Sequence, residues 1–245
     1  MEVFRDKQKE FNHINKPTFQ ERIYRFPGTI HIDSFGIENG NVIYREHANE
    51  ASEAGELQFL KMKAKLYNIY NDTIYKIQSR FFELQANAML MGAGKLSMNL
   101  KSELYESNNT FSLKGNLGRF EVKNLNPFLE KNAFIYVTSG EIEEMNFMFI
   151  ADDTKALGKL ILIYKGLDIA VKNKQSNDTA AFKEKLISVI ANKRILNSNP
   201  KSGEEIRIGN IDYNRDPERF VFNYAARSIM SGVKGSVLKT GNQKK

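Results

Sequence analysis

Gly94-Lys95-Leu96-Ser97-Met98-Asn99-Leu100-Lys101 alternates apolar and polar residues without a break. Leu96, Met98 and Leu100 fall on one side, and Lys95, Ser97, Asn99 and Lys101 on the other. The octet lies in a longer stretch, Leu84 to Val171, that breaks at glycines and starts the same alternation again several times. Phe111, Leu113, Gly115 and Leu117 form one run, Met145, Phe147, Phe149 and Ala151 the next, followed by Leu160, Leu162 and Tyr164, then Leu167, Ile169 and Val171. A period of two predicts strands. Successive side chains on a strand point to opposite sides, so each run gives a sheet one greasy and one wet face. The greasy face must be covered, and what covers it is the functional question.

The 245 residues suffice for one all-β domain or two smaller ones. With 41% hydrophobic and 27% charged residues, the composition is that of an ordinary globular chain. Zero cysteines exclude disulfides, cysteine-ligated zinc and thiol catalysis. Met1 to Lys16 is charged rather than apolar, which shows no signal peptide, and no run approaches the ~18 apolar residues of a membrane span. The chain is therefore expected to stay in the cytosol or to be a piece of a longer exported protein. A net charge of +7 favours anionic company, nucleic acid or membrane.

Outward from the central stretch, residues 1–26 read as an extended connector, polar and broken at Pro17. Residues 27–172 read as an antiparallel β domain. In it, Thr29–Ile37 changes phase near Ser34, Asn39-Gly40 has the chemistry of a hairpin turn, and Leu57–Leu66 slips phase once. Further turns are expected at Gly92–Gly94, Ser107–Asn109, Ser139-Gly140 and Asp152–Thr154. Asn124–Leu129 reads as one helical turn capped by Asn126, with Pro127 in the first position. Residues 173–245 read as a helical cap. A helix over about 178–192, a strand within Glu205–Tyr213, a helix from Pro217 to Ser231 opened by Asp216, and a mobile basic tail from Gly232 make it up. The expected fold is mostly β: a twisted antiparallel β groove or meander with two to three short peripheral helices towards the C-terminus.

Three places carry a likeness to a known family: Ile37-Glu38-Asn39-Gly40-Asn41-Val42-Ile43-Tyr44-Arg45-Glu46; Gly94–Leu100 followed by Leu125-Asn126-Pro127-Phe128-Leu129 and Thr138-Ser139-Gly140-Glu141-Ile142; and Tyr213-Asn214-Arg215-Asp216-Pro217 before a helix ending Ser231-Gly232. In this order they resemble the C-terminal region of bacterial AsmA-like envelope proteins, the group that includes relatives of TamB, from about Pro27 to Gly232. The resemblance implies a gutter-like antiparallel sheet with an apolar concave face. It also implies a place on the periplasmic side of the Gram-negative envelope, as part of a longer protein anchored in the inner membrane, and a role in phospholipid transport or outer-membrane homeostasis.

Under that reading Leu96, Met98, Leu100, Phe111, Leu113, Met145, Phe147, Phe149, Leu160 and Leu162 line a face that solvates phospholipid acyl chains. Burial gains about 0.8 kcal/mol per methylene, so no polar site is needed. The same alternation describes a filled core, closed by the helices, in a structural module that binds other envelope proteins. Phe220 and Phe222 with Lys234 and Lys239 fit an anionic membrane surface, or else cap the open end of the sheet. Catalysis finds no support: His13, His31 and His47 are scattered without metal-ligand spacing, and Glu143-Glu144 and Asp152-Asp153 are neighbours that point opposite ways along strands. No cofactor, catalytic residue or metal ligand is expected. Lysines spread through the chain without an aromatic-basic motif rank nucleic acid low.

Overall fold

The alternation produces one long sheet. The computed structural model describes residues 1–9, 13–71, 81–104, 108–171 and 195–239. Its strands are β1 (Glu2–Asp6), β2 (His31–His47), β3 (Gly55–Tyr70), β4 (Phe81–Leu90), β5 (Gly94–Glu103), β6 (Phe111–Leu117), β7 (Phe120–Glu121), β8 (Ile135–Ala151), β9 (Lys155–Val171) and β10 (Ile208–Asn214). The helices are α1 (Phe19–Tyr24), α2 (Asn126–Asn132) and α3 (Val221–Val237). All strands share one sheet in chain order, with short β7 paired to β8 beside β6. The fold is mostly β with few short helices, as the alternation implies. Every pairing from β2 to β10 is antiparallel, while β1 runs parallel to Ile43–His47 of β2, so the sheet is mixed.

Register puts the apolar runs side by side: Leu100 faces Leu113, Leu113 faces Phe149, and Phe147 faces Leu160. Two expected turns are instead irregularities inside long strands. Asn39-Gly40 sits in the middle of 17-residue β2, with Asn39 at φ 53° and register shifts on both sides of Gly40. The strand on either side of it pairs with the same neighbour, β3, so the left-handed residue makes a bulge rather than a reversal. Ser139-Gly140 likewise falls within β8, with Gly140 at φ 142°. The phase slip in β3 is real and lies at Lys61, φ 51°. A left-handed Met91-Gly92 pair closes the β4–β5 hairpin, and Asp152 closes β8–β9 by accepting from the Thr154 amide at 2.7 Å and the Lys155 amide at 2.9 Å.

The sheet rolls towards its apolar side. In a flat sheet β3 and β8 stand four strand spacings apart, ~19 Å, whereas the seven-residue α2 is only ~10 Å long. Yet α2 reaches both: Asn126 exchanges two hydrogen bonds with the Val137 backbone of β8 (2.9 and 3.0 Å), and Lys131 pairs at 2.6 Å with Glu53 just before β3. Asn126 is thus no helix cap, and its side chain instead pins β8 to the helix. Tyr44 on β2 meets Phe128 of α2 at 6.2 Å and Phe222 of α3 at 5.8 Å between ring centres.

The connector expected over residues 1–26 carries a strand and a helix. Edge strand β1 is held by Arg5 and Lys7 on Glu46 and by Arg45 on Glu2. Thr18, after Pro17, forms a capping box with Glu21 that starts α1. The helix expected from Pro217 begins at Val221, because residues 215–217 are tied down as a strap. Arg215 pairs with Asp153 and donates to the Lys16 carbonyl, and the Lys16 amide donates to the Pro217 carbonyl. It also runs past Gly232 to Val237, so its end is not a mobile tail. Gly232 allows that: a Cβ there would stand 2.8 Å from Ile211 and Leu160, and β10 approaches so closely that a Cβ on Gly209 would strike the Gly232 carbonyl. The strand expected in Glu205–Tyr213 is β10, from Ile208. The helix expected over 178–192 lies outside the described residues, as do residues 240–245 of the expected basic tail and the first residue of the Ser107–Asn109 turn.

Gly232→Val should lower stability by about 1–3 kcal/mol, the usual cost of overpacking, while Ala226→Val on the exposed side of α3 stays near neutral in urea unfolding. The buried Glu46 carboxyl is raised by desolvation, but the Lys7 and Tyr44 hydrogen bonds and the Lys7 and Arg5 charges more than offset this and hold it below its ordinary 4.5. A carboxyl lowered in the folded state stabilises above its unfolded value and loses that contribution as pH falls through the folded one. The docking of β1 should therefore weaken progressively below pH 4.5, read as faster exchange of the Ile43 and Lys7 amides that bond across the β1–β2 edge. Glu46→Gln should flatten this acid dependence.

Candidate functional site

The ten residues assigned to an acyl-binding face do share one face, and most of that face is core. Leu100, Phe111, Leu113, Met145, Phe147, Phe149, Leu160 and Leu162 are all buried, Phe149 at 1% exposure and Leu160 at 0%. The chain itself covers them. Phe19 of α1 lies 5.1 Å from the Phe82 ring and 6.1 Å from Phe111, and Gln20 beside it donates to Ser102 Oγ at 2.6 Å. Tyr224 of α3 meets Phe111 edge-on at 6.0 Å, with Val221, Ala225, Ile229 and Val233 packed along the same cluster. Burial pushes the Tyr224 hydroxyl up from its ordinary value. Only Leu96 and Met98 are half-buried. With Leu66, Leu84 and Leu90 they form a strip on β3–β5 that packs against the cluster edge without being fully covered.

The expected membrane-surface residues divide. Phe220 and Phe222 are 52% and 53% exposed, but Arg22 stands over the Phe220 ring at 5.1 Å and Phe222 abuts Tyr44. Lys234 and Lys239 are exposed. Among the described residues no helix is long and apolar enough to cross a membrane. The histidines sit at the surface beside carboxylates: His13 at 3.0 Å from Glu218, His31 at 3.3 Å from Asp33, His47 at 3.8 Å from Asp6. The Tyr70 hydroxyl donates to Asp33 at 2.5 Å and, with His31, holds that carboxyl below its ordinary range.

The opposite face, the wet one of the alternation, has an order of its own. Pairing aligns its side chains into rows that cross the strands. One row runs Asn87, Ser97, Asn116, Asn146, Ile161 and Ile208 from β4 to β10. The next runs Lys65, Gln85, Asn99, Lys114, Met148 and Lys159 from β3 to β9. A twisted sheet is saddle-shaped, and these rows line a shallow concavity of about 610 Å³ open to solvent. Gln85 and Asn99 donate to Glu83 at 2.9 and 2.6 Å and hold its carboxyl below the usual range, and Asn116 donates to Asn146 at 2.8 Å. Met148 in the lining, and Ile150, Leu157 and Ile208 beside it, are each roughly half exposed. The sequence signal was available: outward positions on consecutive strands carry carboxamides where solvated strands ordinarily carry charged residues and threonine. No family model, curated protein or solved structure matches the chain.

If the buried rows are core, Phe111→Ala and Phe149→Ala should each cost about 3–5 kcal/mol. Met98→Ala, on the half-covered strip, should cost clearly less, all read by urea unfolding. Equal and small losses at all three sites would mean that these rows are a loosely covered groove.

Proposed function

We propose that the chain is a non-enzymatic structural and binding module of a cell envelope, with its apolar sheet face closed by its own helices and its amide-rich face presented to a partner. The observation that carries this reading is the burial of Phe111, Phe149, Leu160 and their neighbours beneath α1 and α3, which leaves the opposite face as the large open surface. The envelope setting, on the periplasmic side of a Gram-negative cell within a longer anchored protein, rests on the resemblance to AsmA-like proteins. Other envelope components are the partners it implies.

A second reading is a lipid-handling module, favoured by the half-covered strip of Leu66, Leu84, Leu96 and Met98. There, phospholipid acyl chains would enter at the β3–β5 side, with α3 and its exposed Phe222 and Lys234 facing an anionic membrane surface. The two readings separate in one experiment. The protein is purified from bacteria, extracted with organic solvent and analysed by mass spectrometry, alongside variants carrying a photo-crosslinker at position 98 or 147. The closed-core reading expects no stoichiometric phospholipid and no acyl adduct at either position. Co-purifying phospholipid with adducts at position 98 would establish the lipid reading instead.

A further inference from the structure

We infer that the concavity on the amide-rich face is a binding site for an anionic polysaccharide, an inference that rests on the closed-core reading and names the ligand class of the face that reading leaves open. The concavity crosses β4, β5, β6, β8 and β9, four strand spacings or ~19 Å, which is the span of an oligomer rather than a single small molecule.

Its uncharged polar lining is mostly carboxamide. Carboxamides from four strands, Gln85, Asn87, Asn99, Asn116 and Asn146, are joined by the Ser97 hydroxyl, and each carboxamide offers a donor and an acceptor side by side. That is the complement of neighbouring sugar hydroxyls. Met148 and Ile161 supply apolar patches for the C–H faces of the rings.

Charge selects an anion. Lys114 and Lys159 are exposed in the lining, no carboxylate shares it, and Lys65 extends the positive field in the adjoining register position, while Lys101 stands opposite Glu83. Glu83 and Glu144 lie at the rim, bonded to Gln85, Asn99 and Asn116. Two other occupants fit less well. Single-stranded nucleic acid needs aromatic faces on which bases stack, and the one aromatic residue of the lining, Phe147, is buried with its ring on the core side. A bilayer takes apolar side chains into its interface, whereas carboxamides and lysines dominate this face.

The test is titration of the full chain with hexagalacturonate, a uronic-acid oligomer, and in parallel with neutral maltohexaose and an oligothymidylate, followed by calorimetry and by NMR of the side-chain amides. Binding of hexagalacturonate that weakens with salt and shifts the Asn87, Asn99, Asn116 and Asn146 side-chain amides supports the site. Lys114→Ala with Lys159→Ala should weaken it at least about tenfold, since each lost charge-assisted hydrogen bond is expensive, while Arg227→Ala on the exposed side of α3, the helix that covers the opposite face, leaves it unchanged. Thermal unfolding of the lysine variants, both exposed substitutions, guards against misfolding. No binding of hexagalacturonate, equal binding of maltohexaose, tighter binding of the oligothymidylate, or indifference to the lysine pair each overturns the proposal. The lipid extraction above reads the core alone, so a failed glycan site with no lipid leaves the closed-core module standing.

Discussion

The constraint on which this molecule is built is the one-sidedness of its sheet. Strand after strand buries the same side, and among the described residues a ten-stranded surface is far too wide for helices of 6, 7 and 17 residues to roof if it stays flat. Rolling solves the problem. As the sheet curls, α2 bridges strands that lie four places apart, Tyr44 of the second strand reaches Phe128 and Phe222, and one long helix at β9–β10 with one short helix at β4–β6 is enough to dry the middle. The small residues Ser228, Gly232 and Ser236, all buried on α3, let that long helix sit almost on the backbone of β10. Close approach gives more dispersion contact per residue than bulk would.

Much of this was legible from residue order alone. Period-two runs from Leu96 to Val171 define strands, their common phase defines a common face, and Asp152–Thr154 and Gly92–Gly94 define turns. Residues whose local chemistry has two uses were not legible. Asn39-Gly40 and Ser139-Gly140 are sound reversals when no lateral partner is present, and become bulges when β3 and β9 offer a ladder that continues past them. Asp216-Pro217 is a sound helix start, overridden because Arg215 and Lys16 hold the preceding backbone extended. A strand in Glu2–Asp6 could not be seen because its pairing is parallel and its reward lies some forty residues away, in Glu46 and Arg45.

The candidate site shows the same division. Alternation locates the greasy residues but is silent on their covering, which is a tertiary fact. Phe111 and Phe149 look the same in sequence as Met98, yet two are sealed under Tyr224 and Phe19 while the third lies where the roof ends. The wet face invites neglect because solvent needs no explanation. Only when the register aligns Asn87 with Ser97, Asn116 and Asn146 does a set of isolated polar residues become a continuous lining.

The parallel N-terminal strand bears on the order in which the chain assembles. From β2 to β9 neighbours in space are mostly neighbours in sequence, so hairpins add one after another and loop-closure entropy is lost in small steps. Strand β1 is the exception. Its partner is the far half of β2, and the strap around Lys16 closes only on Arg215 and Pro217, some two hundred residues later. Strand β1 is therefore among the last elements to find its place, and until α3 arrives the apolar rows of the middle strands lack their roof, as a template onto which a chaperone or a neighbouring chain would fasten.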